Sequence, residues 1–367
     1  MYKLFDCSDN NWDTVLKEMP FNMQDIYFTS DYYKMHEKNG DGRGKLFYYS
    51  DTKGNVALYP FLINKIHGYS LEKDYFDIET AYGYGGPISN CIDERFMEEF
   101  EKSFLEFCKA NNIIAEFIRF HPFLRNETIF KNNMDVTYNR HTVYLDLSKG
   151  IDRIWNEDIR SKNRNVIRKS KKNGLFVEIG TNYENFKEIY RITMDKVEAN
   201  NFFYFSDTYF YDLKDNDHCF LFNTKRENKV VAAAIFMGYG EYFHYHLAGS
   251  LQEELIYSPN NLMLWESIIY AIDNGFKYMH FGGGLTDNSQ DSLLKFKSSF
   301  SKNYKDFYIG KRIHNNEIYA YLINEWEKTN NKKANTLLQY RIWNDCACED
   351  RNPNIFNRII TILVVYP

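Results

Sequence analysis

The sequence predicts a mixed α/β fold in two domains, and three observations lead to this prediction. First, 367 residues are more than one hydrophobic core usually holds, and they fit two domains of about 100–200 residues each. Second, stretches with helical and with strand periodicity alternate along the chain, without a low-complexity linker. Third, 30 Tyr and 30 Phe supply apolar material for two packed cores. Each domain is therefore expected to be a mixed sheet flanked by helices.

In the first half, apolar runs bounded by turn residues indicate strands, and a recurring aromatic face indicates a helix. Phe96, Phe100 and Phe104 lie at the spacing of one helix face. The predicted elements are, in order, strands at 45–50 and 56–63, a helix at 94–111, and strands at 113–120 and 141–147.

The second half repeats this plan, and the seam is expected near Lys149-Gly150. No residue-level repeat supports the duplication, which is inferred from architecture alone. The predicted elements are a helix at 154–173, a strand at 175–179, a helix at 185–199, and strands at 219–223, 230–237 and 242–247.

The segment 257–301 is the most informative part of the chain. Ser258 or Asn260 can cap a helix that has Pro259 near its start, and Asn274-Gly275 can end it. An apolar strand at 277–281 follows, and then the glycine run 282–284, which is interpreted as a turn. Because no phosphate-loop spacing accompanies these glycines, they do not indicate a nucleotide site.

Charge and cysteine usage narrow the function classes. The net charge is −5, so nucleic acid would have to bind a local basic patch rather than a general basic field. The six cysteines show no paired zinc spacing, and no metal is expected. The N-terminal residues do not resemble a signal peptide, and the apolar run 359–366 is too short to cross a bilayer. The protein is expected in the cytoplasm, with at most a transient contact at a membrane surface.

Five blocks, met in order along the chain, resemble the Fem-like aminoacyltransferases of the GNAT superfamily. The blocks are Tyr82-Gly83-Tyr84-Gly85-Gly86-Pro87, Phe117-Ile118-Arg119-Phe120-His121-Pro122, the basic stretch 160–169, Tyr245-His246-Leu247-Ala248-Gly249-Ser250, and Phe296-Lys297. The helix, strand, glycine turn and Phe-Lys pair of 257–301 lie as they do near the end of such a domain.

This resemblance implies tandem GNAT-like acyl-CoA N-acyltransferase domains. Residues 1–149 with about 313–367 would form the acceptor-side domain, and 150–312 the acyl-donor side. The implied enzyme moves an aminoacyl or acyl group onto an amine of a bacterial cell-envelope or surface-saccharide precursor. Its co-substrate would be aminoacyl-tRNA or acyl-CoA, without a tightly bound cofactor. A non-catalytic protein that binds tRNA, lipid or saccharide through the same fold is the alternative of another class.

Two departures from the family pattern leave the acceptor open. Gly85-Gly86-Pro87 stands where many relatives have Arg-Gly-Pro, and His121 stands where they have Asp before the proline. Both departures fall in the acceptor-side domain. A peptidoglycan precursor and an amino sugar on a nucleotide or lipid carrier are therefore both expected acceptors.

Lys297 and His121 are the predicted catalytic residues. A fixed cation beside the reacting carbonyl stabilises the oxyanion that forms when an amine attacks it, and the family's Phe-Lys pair would place Lys297 there. The alternative is an ordinary solvated lysine. A neutral His121 at a strand end can accept a proton from the attacking ammonium, or it can be a buried histidine with satisfied hydrogen bonds.

The basic stretch 160–172 contains no acidic residue, and Arg160, Arg164 and Arg168 recur every four residues. On one helix face they can bind successive phosphates of tRNA, of a diphosphate-linked acceptor or of an anionic membrane surface. A solvated helix face is the alternative.

His244 and His246 share the period of one strand face and form a polar wall of the site rather than a metal site, with Tyr245 facing the other way. The remaining predicted substrate contacts follow from the family blocks. The predicted substrate-binding residues are Phe296, Tyr84, Gly85, Gly86, Arg119, Arg164, Arg168, Tyr245, His246, Gly283 and Gly284.

The donor is predicted from what precedes the helix near residue 260. Acyl-CoA users of the superfamily usually carry a glycine-rich loop there, whose amides hold the pyrophosphate. This chain has Tyr257-Ser258-Pro259-Asn260-Asn261, and Pro259 has no amide hydrogen to donate. Aminoacyl-tRNA is therefore slightly favoured over acyl-CoA.

Overall fold

A computed structural model describes residues 2–130, 132, 134–198 and 203–342. The predicted apolar run 359–366 lies outside these residues. The described chain forms two compact units: unit 1 comprises 2–139 and 307–342, and unit 2 comprises 140–306. The boundaries predicted from the sequence are 149/150 and 312/313, and the acceptor and donor roles of the two parts stay predictions. No helix in the described ranges has the length and apolar character needed to cross a membrane.

The sheet of unit 1 has the strand order β1-β2-β3-β4-β6-β13, and β5 also pairs with β3. All neighbours are antiparallel except β4 and β6, which are parallel. The strands are β1 (Tyr2–Asp6), β2 (Arg43–Ser50), β3 (Val56–Lys65), β4 (Phe76–Glu79), β5 (Ile88–Ser89), β6 (Ile113–Arg119) and β13 (Asn303–Ile313), and the helices are α1 (Asn11–Lys17), α2 (Ser30–Asn39), α3 (Glu94–Ala110) and α10 (Asn316–Asn330).

Unit 2 repeats this order as β8-β9-β10-β11-β12-β7, with one parallel pair, β11 and β12, at the corresponding place. The strands are β7 (Asp135–Asp146), β8 (Leu175–Gly180), β9 (Cys219–Arg226), β10 (Lys229–Tyr239), β11 (Tyr242–Ser250) and β12 (Tyr278–Gly283), and the helices are α4 (Ile151–Arg153), α5 (Ser161–Lys172), α6 (Tyr183–Lys196), α7 (Asp207–Asp215), α8 (Pro259–Asp273) and α9 (Ser292–Lys297).

The predicted tandem α/β class is confirmed by this repeated architecture. In each unit two helices separate the first two strands, and one long helix connects the parallel pair: α3 in unit 1 and α8 in unit 2. A parallel pair needs such a crossover because both strands run in the same direction. Short 3₁₀ turns at 21–23, 26–28, 126–128, 147–149, 252–257 and 339–341 complete the described connections.

Apolar faces of these elements form the cores. In unit 1, Phe96, Phe100 and Phe104 of α3 pack on Phe47 and Tyr59 of the sheet, as the helix periodicity predicts. In unit 2, α8 buries Leu262, Met263, Leu264 and Ile268 among strand residues such as Phe243.

The described residues from 307 to 342 belong to unit 1. Residues Ile309–Ile313 of β13 pair with β6, and Leu322 and Trp326 of α10 pack with Ile114 and Phe117. The segment therefore completes both the sheet and a core of the unit with which the chain begins.

Two local predictions were wrong. The helix predicted at 154–173 is a π-helical turn, Ile154–Asp158, and a separate α5, because Ile159 and Arg160 are extended between them. The strand at 141–147 was assigned to the first half, but residues 142–146 of β7 pair with β12 in unit 2.

Candidate active site

The candidate site of unit 2 lies where the parallel strands β11 and β12 separate. The two strands pair over three rungs only, from Tyr242–Tyr278 to His244–His280. Beyond this rung β11 continues beside β10 as far as Ser250, and β12 continues beside β7 as far as Gly283. The backbone edges of 245–250 and 281–283 thus face each other without pairing, and we call this opening the strand gap. Because the two strands do not bond to each other there, a ligand can approach their backbone N–H and C=O groups.

Lys297, the last residue of α9, reaches the strand gap. Its Nζ donates a hydrogen bond to the Gly283 carbonyl oxygen at 2.6 Å and lies 5.9 Å from the centre of the Tyr245 ring. The residue is only 8 % exposed. The solvated-lysine alternative is therefore wrong, and the amine is held beside residues of both strands that border the gap.

Burial lowers the pKa of Lys297 to about 7, an effect that Asp291 opposes and Arg140 reinforces. Around neutral pH the amine therefore exists in both protonation states. An anion that forms next to it would offset the burial and favour the cation, because opposite charges attract strongly where water is excluded. This is the behaviour needed of a group that stabilises an oxyanion.

Asp291 and Arg140 fix the loop that leads to Lys297. The Asp291 carboxylate accepts the backbone N–H of Leu294 at 2.8 Å, which caps α9, and those of Leu285 and Thr286 at 3.1 Å. Burial raises the pKa of Asp291, but these N–H groups outweigh it and hold the pKa below its usual range. Arg140 Nη1 donates to the Gly284 carbonyl at 2.8 Å. Neither residue was predicted from the sequence.

The glycine run is needed because its neighbours leave no room for side chains. A Cβ on Gly284 would lie 2.5 Å from Asp291 Oδ1, and one on Gly283 would lie 2.8 Å from Arg140 Cδ. Gly282 and Gly283 belong to β12, so the prediction of a turn over 282–284 was wrong for these two residues. Protein groups therefore pack closely on Gly283 and Gly284, and the predicted substrate contacts of these two residues stay predictions.

The two aromatic residues predicted at the site differ in their surroundings. Phe296 packs on the unit 2 core, with its ring centre 5.8 Å from that of Phe300, and so anchors α9. Tyr245 packs against Phe236 at 5.3 Å and faces Lys297. Burial raises the pKa of its hydroxyl, so Tyr245 stays neutral at physiological pH.

The two predicted histidines of β11 contact different partners. His246 lies at a register shift between β10 and β11, and its Nε2 is 2.8 Å from the Tyr209 hydroxyl. His244 is buried, and its Nδ1 is 3.4 Å from Nδ1 of His280 on β12. His280 was not predicted, because only the pairing of two strands distant in sequence brings it to His244.

Of the three arginines predicted as a row, Arg164 and Arg168 lie in α5. Arg164 Nη1 lies within 3.2 Å of the carbonyl oxygens of Trp155, Asn156 and Ile159, so Arg164 caps the end of the π-helical turn. Arg160 precedes the helix, and Arg168 lies over the Trp155 ring at 5.2 Å. These contacts engage Nη1 of Arg164, and its predicted binding of phosphate stays a prediction. The exposed cations of α5 that remain include Lys162, Lys169 and Lys172.

In unit 1, His121 is a buried histidine whose two nitrogens both have partners. Nε2 lies 2.8 Å from Asp25 Oδ2, and Nδ1 accepts the Phe123 N–H at 3.3 Å. This arrangement sets the Nε2–H tautomer. The base role of His121 stays a prediction, and it would require Nδ1 to give up the Phe123 N–H.

The other predicted residues of unit 1 also have partners within that unit. Asn126 donates to the Gly85 carbonyl at 2.7 Å, and Gly86 has φ +88°. The Tyr84 ring packs edge-on against Phe307 at 5.1 Å. Arg119 is buried, and its Nη1 donates to the Thr80 carbonyl at 2.9 Å. Burial lowers the pKa of Arg119 to about 10.

The loop before α8 is held by side chains of unit 2. Ser170 Oγ lies 2.8 Å from the Tyr257 carbonyl, and Asn261 donates to Asn163 at 2.8 Å. Ser258 adopts a left-handed conformation with φ 57°, and Pro259 begins the helix. The loop is packed against α5 and has no glycine-rich cradle of amides.

Comparison with known proteins agrees with this geometry. A family model for an acetyltransferase (GNAT) domain matches residues 158–298, which lie inside unit 2. The chain is 25% identical over 273 residues to the UDP-N-acetylmuramoylpentapeptide-lysine N(6)-alanyltransferase of Weissella viridescens, a match that covers 68% of this chain and 80% of that protein.

Solved structures share the fold. The crystal structure of FemX superposes with a TM-score of 0.67 at 16% identity, covering 87% of this chain and 99% of that one. L-PGS of Bacillus licheniformis gives 0.54 at 12% identity, covering 84% and 92%. The GNAT match, the alanyltransferase relative and the five sequence blocks together lead to one conclusion: the chain is an acyltransferase that contains a GNAT domain and is similar to the Fem-like aminoacyltransferases.

Proposed function

We propose that this enzyme transfers an aminoacyl group from aminoacyl-tRNA to an amine of a peptidoglycan precursor, as a step of cell-envelope synthesis in the cytoplasm. The observation that carries the proposal is Lys297, a buried amine with a pKa of about 7 at the strand gap. The alanyltransferase relative acts on the lysine of a UDP-linked muramoyl pentapeptide, which supports a peptide amine on a nucleotide- or lipid-linked carrier as acceptor.

In this reaction the acceptor nitrogen attacks the carbonyl carbon of the aminoacyl ester. The new C–N bond forms, the C–O bond to the tRNA ribose breaks, and negative charge passes through the carbonyl oxygen. Lys297 donates an N–H to that oxygen while a second N–H remains bonded to Gly283. The charge develops only in the transition state, so this interaction accelerates the reaction instead of merely tightening substrate binding.

The packing of the loop before α8 supports tRNA as the donor. Ser170 and Asn163 of α5 hold this loop, and Pro259 removes one amide from the helix N-terminus, so a pyrophosphate would find few donors. The neighbouring α5 presents Lys162, Lys169 and Lys172 to solvent. Cations of this kind bind a nucleic acid backbone without reading its sequence.

Replacing Lys162, Lys169 and Lys172 together with alanine is expected to weaken binding of aminoacyl-tRNA. Each phosphate contact on a duplex releases about 0.9 counterion, so the slope of log K against log salt should fall by roughly two to three units. Filter binding across a salt series measures this. Lys17, Lys53 and Lys109 of unit 1, also exposed, provide a matched triple variant that should bind like the wild type. An equal loss in both triples would assign the effect to overall charge and reject a site on α5.

The proposed function is tested by incubating the purified enzyme with UDP-N-acetylmuramoyl-pentapeptide and alanyl-tRNA, and identifying the product by mass spectrometry. The expected product carries one additional alanine on the peptide amine, and ribonuclease treatment of the donor should abolish it. Formation of an acetylated amino sugar from acetyl-CoA alone, unaffected by ribonuclease, would overturn the tRNA donor. Absence of transfer from either donor would reject the proposed reaction.

A further inference from the structure

Two buried histidines form a hydrogen-bonded pair where the strand gap begins. His244 and His280 are each 1% exposed and occupy the last paired rung of β11 and β12. Their Nδ1 atoms are 3.4 Å apart, and their rings are nearly perpendicular, at 85°. Next to this rung the backbones cease to pair, so the two imidazoles lie at the closed end of the gap.

The contact between the two nitrogens determines how the pair holds protons. One Nδ1 must carry a hydrogen and donate it, and the other must accept, because two N–H groups or two lone pairs would repel. A neutral pair can therefore take up one proton at Nε2 of the donating ring. Transfer of the shared Nδ1 hydrogen then allows the other ring to release a proton from its own Nε2. The pair conducts one proton without either ring moving.

Consecutive strand residues place the pair opposite Lys297. His244 and Tyr245 are neighbours in β11, so their side chains point to opposite faces of the sheet. Lys297 lies on the Tyr245 face, as its contact with that ring shows. An acyl group in the gap would have a cation on one face and a proton acceptor on the other.

Acylation of an amine requires such an acceptor. An alkylammonium loses two protons on becoming an amide nitrogen, the departing ribose oxygen takes up one, and one is left over. Resting on the proposed function, we propose that His244 and His280 act as a relay that removes this proton from the acceptor amine.

The decisive variant is His280→Asn. Asparagine keeps a hydrogen-bonding atom near the position of Nδ1 but has no nitrogen that titrates at neutral pH. A relay predicts that kcat falls by about 10²-fold, at the low end for general acid–base catalysis, while the melting temperature stays close to that of the wild type. His244→Asn should lose as much, and the double variant little more, because a relay fails when either member is lost. His218→Asn, a histidine of unit 2 that packs on Tyr239, is the matched control and should retain activity.

A second readout separates proton transfer from positioning. With an acceptor whose amine is weakly basic and already neutral at the assay pH, such as hydroxylamine, the deficit of His280→Asn should shrink toward unity. Wild-type kcat in His280→Asn would overturn the relay. So would an equal deficit with both acceptors. In either case the proposed reaction stands as long as the wild-type enzyme transfers alanine. If the wild-type enzyme transfers no alanine, the proposed reaction itself is rejected.

Discussion

Replacing Lys297 with methionine is expected to slow acyl transfer by about 10²–10³-fold, the usual effect of removing one donor to an oxyanion. The loss should appear in kcat and in kcat/KM alike, because the interaction is absent from the ground state. Single-turnover transfer of labelled alanine measures it. Lys295→Met, two residues away on the same helix and exposed, is the matched control and should retain activity.

The pH profile distinguishes a cation from a base at this position. If the cation is needed, kcat/KM plotted against pH should show a limb that falls as pH rises through the pKa of about 7. Lys297→Arg, which stays charged, should move this limb to higher pH. A limb that rises through pH 7 and persists in the arginine variant would contradict the cationic role.

The substitution Lys297→Met should also change how the stability of the protein depends on pH. The pKa of Lys297 is lowered from 10.5 to about 7 on folding, so the unfolded chain binds more protons between these values. Wild-type stability should therefore gain a contribution as pH rises from 7 toward 10, and the methionine variant should lack it. Each pKa unit corresponds to about 1.4 kcal/mol. Between pH 7 and 9 the free energy of unfolding of the wild type, measured in urea, should therefore rise by roughly 2 kcal/mol relative to that of the methionine variant.

Replacing Arg312 with methionine is expected to destabilise unit 1 by about 3–5 kcal/mol, because it leaves buried carboxylates without their cation. Arg312 is 2% exposed. Its Nη2 donates to Glu101 at 2.8 Å, and its Nε lies 3.6 Å from Glu116. Glu116 also accepts the Tyr59 hydroxyl at 2.8 Å. Urea unfolding at pH 7 measures the loss.

Two further variants isolate the cause of that loss. Arg95→Met removes an arginine that is 87% exposed and pairs with Glu99, and it should cost less than about 0.5 kcal/mol. Adding Glu101→Gln and Glu116→Gln to Arg312→Met should restore much of the stability, since no buried charge is then left unpaired. A triple variant as unstable as the single one would show that packing, and not charge, causes the loss.

Lowering the pH should reduce the stability that Glu116 and its partners give to unit 1. Burial raises the pKa of Glu116, but Arg312, His314 and Tyr59 outweigh it and hold the pKa below the ordinary value of 4.5. Glu116 therefore contributes stability above about pH 4.5, and this contribution is lost as pH falls through its lower folded-state pKa.

The sequence predicted most of the elements with strong periodicity. The faces of α3 and α8 and the central strands follow from apolar spacing. The helix, strand and Phe-Lys pair of 257–301 singled out Lys297, which the structure buries beside Gly283. Periodicity did not detect the break at Ile159, because apolar residues that enter the core, Ile154, Ile159 and Ile167, continue across it. It also did not predict β1 or β13, whose exposed, polar faces weaken the alternation.

Side-chain roles were harder to predict than elements. Arg164 and Arg119 belong to family blocks, yet both guanidinium groups bind backbone carbonyls of their own unit. A charge pattern cannot distinguish such contacts from ligand contacts, because both need the same residue type at the same spacing. The His244–His280 pair depends on the pairing of two strands and has no local signal at all.

Because the segment from residue 307 completes unit 1, it determines the order in which the two units can fold during synthesis. Residues 140–306 emerge as one continuous unit, whereas unit 1 lacks β13 and the cations Arg312 and Arg341 until the last part of the described chain has been made. Asp77, Glu101 and Glu116 are buried in the finished unit and cannot be sequestered as charges before those arginines arrive. Until then the nascent N-terminal segment keeps an open edge at β6, which a chaperone would have to protect from other chains. Unit 2 is therefore free to fold on the ribosome, and the unit translated first is the last to be completed.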